Sequence, residues 1–359
     1  MSKRKPKVEE EGTEDLDAVV KRSKPTSELM SLRAENDELS ATIKGYQKEH
    51  GKLEDLIHQV VAVAPRAKAV PVLYRPEGGK GVSSPCDVAL HLSDIHYGSV
   101  QDPDEIEGFG EYNPEIARAR LLNLVRDVLD WADIKRGGYR LPRLHVLMTG
   151  DYVSGDIHEE LRITNAFPCP VQAVECGKLL SEVLLTLAQH FESVRVHMTT
   201  DDNHGRLTQK PQAKQGGLNN WGFVVGSWIK AQVERQRNIS VNVIPRSWDS
   251  VECNGRRYLL THGHRVTGWA GFPYYGIERL VAREALKRMN AAEIRKFNRV
   301  VMGHWHAPLA HPWYWIGGSV SGTDSFDHGQ GRYSEPLQVS WLIHPKHGEF
   351  DRTEWRLRV

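Results

Sequence analysis

The 359-residue chain predicts an α/β fold: two sheets packed together, with helices outside. Two observations carry this reading. From residue 86 to about 235, short apolar runs alternate with amphipathic stretches, the pattern of strands and connecting helices. From residue 241 the chain turns strand-rich, and two of its runs flank Asn254-Gly255, a strong hairpin signal. A third observation points to chemistry. Five separate strand ends carry aspartate, asparagine or histidine.

Taken in order, residues 1–25 are charged and poor in large apolar side chains, which predicts a disordered tail. Its cluster Lys3-Arg4-Lys5 offers positive charge to nucleic acid; a solvated tail is the plainer reading. Residues 26–61 predict an N-terminal coiled-coil helix. Leu29, Asn36, Ile43, His50 and Ile57 recur at one heptad position, and Leu32, Leu39, Tyr46, Leu53 and Val60 at the other. One amide at Asn36 among leucines suits a parallel homodimer, although Gly45 and His50 weaken the seam. The alternative is a single amphipathic helix packed on the main domain. Residues 62–85, with Pro65, Pro71, Pro76 and Gly78-Gly79-Lys80-Gly81, read as a linker.

The main domain is expected over 86–359. Its strands are expected at 88–92, 144–148, 194–198, 241–244, 249–253, 256–260, 300–302, 313–320, 337–343 and 350–356. Asn113-Pro114 is a cap followed by a first-turn proline, opening a helix to about residue 135. Further helices are expected near 170–190, 218–235 and 276–289.

Composition excludes some classes. The net charge of +1 makes no global electrostatic case for or against a nucleic-acid partner. Four cysteines without CxxC spacing suit reduced, buried thiols. No apolar run approaches the roughly 20 residues of a membrane span. The basic start lacks the apolar stretch of a secretory signal. An intracellular, cytoplasmic protein without membrane contact is expected.

The stretch Val301-Met302-Gly303-His304-Trp305-His306 is central. Alternate residues past a strand end can point the same way, and two imidazoles so placed serve two adjacent metals better than one. The other strand ends supply the rest: Asp94 and His96, then Asp151, then Asn203 and His204, then His262. Each alone has a bland reading as a cap, a turn or a core histidine. Five such coincidences are harder to accept than one site at the carboxyl ends of strands.

The order Asp-x-His, Gly-Asp, Asn-His, His-Gly-His, Gly-His-x-His resembles the calcineurin-like metallophosphoesterase superfamily over about residues 86–345. The runs Gly150 to Glu160 and Asn203-His204-Gly205-Arg206 are similar to phosphoesterases of tailed bacteriophages, which would place the chain in a host cytoplasm. The resemblance implies a two-sheet β-sandwich flanked by helices, with two divalent metal ions at one edge. By position, Asp94, His96 and His306 would hold the first ion. Asn203, His262 and His304 would hold the second, and Asp151 would bridge them. Nitrogen and oxygen donors without thiolate suit manganese, iron or zinc and do not choose among them; manganese is the first expectation. Two such cations activate a water and clamp the oxygens of an in-line displacement at phosphorus. His204 is then the expected general acid.

Three departures stand out. Asp202 replaces the usual glycine before Asn-His, which suggests an unusual backbone angle that aspartate tolerates. Gly205 stands where an acid is common. Ser154 replaces the aspartate that often orients the histidine, leaving Asp156 as substitute. Arg206 is a candidate for binding substrate phosphate or a surface arginine, and Phe272-Pro273-Tyr274-Tyr275 offers rings for base stacking or for loop packing. A phosphodiesterase or nuclease on nucleic acid is the first expectation. A phosphomonoesterase acting on protein or small metabolites is the alternative, and a non-enzymatic assembly protein is the third.

Overall fold

The computed structural model describes residues 61–74, 85–266, 273–289 and 296–359, together with seven single residues between 34 and 59. The chain divides into two compact units, Met1–Gln59 and Val60–Val359. In the first, Ala34, Asp37, Glu38, Ala41, Asp55, His58 and Gln59 are helical and exposed. The heptad residues that would form the coiled-coil seam, from Leu29 to Val60, all lie outside the described residues.

The second unit holds two sheets. Strands β1 (Pro85–Leu92), β2 (Arg140–Met148), β3 (Ser193–Thr199) and β4 (Ile239–Ile244) run parallel. β10 (Leu337–His344) pairs antiparallel with β1 and β11 (Gly348–Arg356) with β10, giving the order β11-β10-β1-β2-β3-β4. The second sheet is β5 (Asp249–Cys253), β6 (Arg256–Thr261), β7 (Arg299–Met302), β9 (Tyr314–Ile316) and β8 (Leu309–Ala310), in that spatial order. β6, β7 and β9 are mutually parallel. The β5–β6 hairpin turns at Asn254-Gly255, both with positive φ, as that dipeptide favours.

Alternation builds the core between the sheets. Ala89 stands opposite Trp341 in the first sheet, and Leu260, Val301 and Trp315 lie in one row across the second. Ala89, Leu147, Val339, Trp341 and Ile343 meet Val251, Tyr258, Leu260, Val301 and Trp315 in one buried cluster. On the first sheet pack α1 (Pro114–Arg136), α3 (Cys169–Gln189) and α4 (Trp221–Gln232). α1 starts as expected: Asn113 caps it by accepting from the Ile116 amide at 2.8 Å. α5 (Tyr274–Met289) covers the far face of the second sheet, setting Ile277 and Val281 against Leu259, Val300 and Ile316. Two one-turn helices, α2 (Glu159–Thr164) and α6 (Ser325–Gly329), have no counterpart in the sequence expectation.

Two boundaries differ from expectation. The strand expected over 313–320 runs only from Tyr314 to Ile316; beyond it Gly317 passes so close to His91 that a Cβ there would sit 2.6 Å from its ring. Within the expected linker, residues 64–74 are docked on the domain. Ala64 packs with Trp228 and Ala231, the Ala67 amide donates to the Gln232 carbonyl at 3.1 Å, and Leu73 donates to Gln189 at 2.6 Å. The prolines keep this stretch out of helix and strand, yet its amides still find partners. Cys86, Cys169, Cys176 and Cys253 are buried and unbridged. Among the described residues no helix is long and apolar enough to cross a membrane.

Candidate metal centre

Parallel pairing sends the carboxyl ends of β1, β2 and β3 to one edge of the first sheet, and β6 and β7 do the same in the second. Five loops leave these ends, and every expected ligand sits on one of them. Asp94, His96 and His306 can bring one ligand atom each within 4.8 Å of one another; so can Asp151, His262 and His304. Asn203 joins the second group, its Oδ1 2.9 Å from His262 Nε2. Asp151 lies between the groups: its Oδ2 is 3.0 Å from His262 Nε2 and 3.9 Å from His96 Nε2. One carboxylate oxygen therefore reaches both.

The backbone is bent to make this possible. Asp94, His96, Asp151, His304 and His306 all have positive φ, between 48° and 73°. Side-chain-bearing residues rarely adopt this region, and clusters of such strain mark functional sites. Close approach is the other device. At Gly303 a Cβ would lie 1.9 Å from Ser93 Oγ and 2.3 Å from Asp94 Oδ2, so only glycine lets the ends of β1 and β7 meet.

Hydrogen bonds aim the donors. His262 Nδ1 lies 2.8 Å from the Thr149 carbonyl, which can only accept, so Nδ1 keeps a proton and Nε2 is the nitrogen left to ligate once it sheds its own. His306 Nδ1 lies 2.9 Å from Asp327 Oδ2 with the same consequence. His96 Nε2 and His306 Nε2 face each other at 3.1 Å. Asp94 Oδ1 accepts the His304 amide at 2.9 Å, whereas its Oδ2 is buried with no hydrogen-bond partner. A buried carboxylate oxygen left bare is costly unless a cation completes it. Two converging groups of imidazole, carboxylate and amide donors, with no thiolate, fit divalent metal ions.

Electrostatics agree. Burial opposes a charge on His262, yet Asp151 beside it pushes its pKa up to about 10. His306 is likewise opposed by burial and raised to about 9 by Asp327 and Asp94. Burial lowers His96 and His304, and neighbouring imidazoles lower them further. Burial alone would raise Asp151; the surrounding imidazoles hold it well below the usual carboxylate range. These are charges that a pair of cations would replace.

The chain has distant likenesses among solved structures. It is similar to a single mutant of Vps29 from Entamoeba histolytica, at 12% identity and TM-score 0.31, over 76% of this chain and 99% of that one. It is also similar to a predicted phosphoesterase from Streptococcus pneumoniae TIGR4, at 13% identity and TM-score 0.28, over 75% and 97%. A third is a dimetal phosphatase from Danio rerio, at 10% identity and TM-score 0.33, over 76% and 99%. No family model and no curated protein matches the chain. At such identities no residue role is taken from these proteins.

Around this candidate ligand set, the other expected residues fall as follows. His204 stands beside the centre, its ring edge-on to His96 with centroids 4.5 Å apart. Its Nδ1 lies 2.7 Å from the Ser154 carbonyl, and its amide donates to Asp151 Oδ1 at 3.1 Å. Its Nε2 is thus the nitrogen left for chemistry. Asp156 does not take the orienting place expected for it. It is exposed and lies by the Cys169 thiol, and the Ser154 carbonyl orients His204 instead. Arg206 spends its guanidinium on its own loop: Nε donates to the Thr208 carbonyl at 2.9 Å and Nη2 to that of Gln209 at 3.0 Å.

Asp202 also differs from expectation. It is not among the described residues with positive φ. Its side chain is what matters: Oδ2 accepts the Asp151 amide at 2.9 Å, and Oδ1 accepts the Gly205 amide at 2.8 Å and Asn220 Nδ2 at 3.0 Å. Gly205 fits because a Cβ would meet Asn220 Oδ1 at 2.2 Å. Tyr274 and Tyr275 are exposed at the start of α5, and Phe272 lies outside the described residues. Sequence reading missed Asp202 as a brace, Thr149 and Ser154 as acceptors, and Asp327.

Proposed function

We propose that this chain is a phosphoesterase that uses two divalent metal ions, and that its substrate is a phosphodiester of nucleic acid. The observation that carries the reading is the convergence of seven ligand residues from five strand ends around one shared aspartate, with Asp94 Oδ2 buried and bare. When bound, two cations supply the charge that activates a water and neutralises the phosphate oxygens. Asp94, His96 and His306 would hold the first, Asn203, His262 and His304 the second, and Asp151 would be shared by both. His204 donates Nδ1–H to the Ser154 carbonyl and presents Nε2 to the leaving oxygen; as an imidazolium it passes the Nε2 proton to that oxygen and is left neutral, still protonated on Nδ1. Manganese is the expected ion.

The nucleic-acid preference has a local support besides the phage-like motifs. The loop after His204 carries Lys210 and Lys214, both exposed, which suits a polyanion. The experiment is a substrate panel with manganese: single- and double-stranded DNA, RNA, bis-p-nitrophenyl phosphate and p-nitrophenyl phosphate. Hydrolysis of the diesters ahead of the monoester, abolished by chelator and by Asp151→Asn, is the expected result. Preference for p-nitrophenyl phosphate would establish the phosphomonoesterase instead. Full activity in Asp151→Asn or in excess chelator would refute the metal mechanism.

A further inference from the structure

The two metal-facing imidazoles with a fixed Nδ1 are fixed by different chemistry. The acceptor for His262 is a neutral backbone carbonyl, that of Thr149. The acceptor for His306 is a carboxylate, that of Asp327, 21 residues further along the chain and on a different element. A backbone carbonyl comes with the fold. A buried carboxylate must be built in and held, because burying a charge is expensive unless it is paired.

The structure holds this one firmly. Asp327 lies in the middle of α6 and is only 5% exposed. Asp324 caps the helix by accepting the Asp327 amide at 2.7 Å. Gln101 Oε1, from the loop that follows His96, accepts both the amide and the hydroxyl of Ser325 at 2.8 Å each. The Asp327 carbonyl accepts the Arg332 amide at 2.9 Å, and Arg332 Nη1 stands 3.9 Å from Asp327 Oδ1. A one-turn helix is thus anchored at both ends, and its central side chain points at one ligand.

From this geometry we infer that Asp327 is a positioning residue for the first metal. It fixes His306 as the Nδ1-protonated tautomer, aims Nε2 at the ion beside Asp94 and His96, and makes that nitrogen more basic. It touches neither ion nor substrate. Among the described residues no carboxylate meets the Nδ1 of a histidine in the second group, so the effect of Asp327 should be confined to one ion. The inference rests on the metal reading above and adds a residue to it. Outer carboxylates of this kind are worth about 10–100-fold in metal affinity.

The test is Asp327→Asn in the full-length chain, which keeps an acceptor of the same shape and removes the charge. Manganese per chain is measured by equilibrium dialysis over a range of free manganese, without any activity assay. Wild type should take up two ions. In the variant, half-filling of one ion should move up by about 10–100-fold, while the other stays within about twofold. Asp327→Ala, which loses the acceptor as well, should move the same ion further. Thermal melting of the metal-free proteins reports folding independently. If both ions bind Asp327→Asn as they bind wild type, the inference is wrong. If both weaken together and the metal-free melting point falls, Asp327 is only structural, and the inference is equally wrong. A wild-type chain that takes up no manganese would refute the metal reading itself, a result distinct from either.

Discussion

His204 is the residue on which the rate should depend most without the metals depending on it. Its Nδ1 is occupied by the Ser154 carbonyl, and its amide already belongs to Asp151. His204→Ala should therefore keep its manganese and lose about 10²–10⁴-fold in kcat, the usual worth of a general acid. The loss should shrink for esters with acidic leaving groups, which need less protonation. Metal content falling as far as in His262→Ala would make His204 a ligand instead. The ligand histidines predict a pH dependence. Without metal, His262 and His306 hold their protons up to about 10 and about 9, so both are charged at neutral pH. A cation must displace those protons. The sign follows: manganese affinity should rise with pH from neutral towards 9, and binding should release protons. Calorimetry in buffers of different ionisation enthalpy measures that release; affinity flat between pH 7 and 9 would contradict it.

Among the elements, the ends of β1 and β7 are the contact that assembles the first group. Gly303 permits it, since a Cβ there would strike Ser93 Oγ at 1.9 Å and Asp94 Oδ2 at 2.3 Å. Both obstacles are short buried side chains with little freedom to yield. Gly303→Ala should force the two strand ends apart, costing about 1–3 kcal/mol as overpacking does. Metal content and urea midpoint should fall together; an unchanged midpoint with full metal would show that the ends are looser than drawn. This contact also shows how much was legible in the sequence. Each proposed ligand announces itself because it follows a short apolar run, so pattern and residue type coincide at Asp94, Asp151, Asn203, His262 and His304. What holds the ligands gives no such signal. Thr149 and Ser154 act through carbonyls, which every residue has. Asp327 lies on a helix of five residues, too short to show a period. Asp156 was the plausible acid by position, but its loop turns outward at Gly155, where φ is 77° and a Cβ would lie 1.9 Å from the His204 carbonyl oxygen.

For the whole molecule the open matter is what covers the seam from Leu29 to Val60. The seven described residues in that stretch, Ala34 to Gln59, are helical and exposed. With Leu29 at the first heptad position, all seven fall at outer positions, away from the seam. As a helix the seam is about 48 Å long at ~1.5 Å per residue. That is more than one domain's surface groove offers, and a second copy of the same seam is the simplest cover. We therefore expect a parallel homodimer through residues 29–60. Asn36→Leu should raise its stability yet loosen the preference for two strands, since a buried amide disfavours other registers. Where to cut the chain follows from the docked segment. Ala64, buried against Trp228, and Ala67, bonded to Gln232, belong to the second unit. Removing residues 1–59 should leave a folded monomer that still hydrolyses bis-p-nitrophenyl phosphate, because every proposed ligand lies beyond Cys86. Removing residues 1–74 should in addition lower the melting temperature, by uncovering Trp228 and stranding its neighbours. Light scattering on the full-length and shortened chains decides the point: a monomeric full-length protein, or a dimer that survives loss of residues 1–59, would place the contact elsewhere.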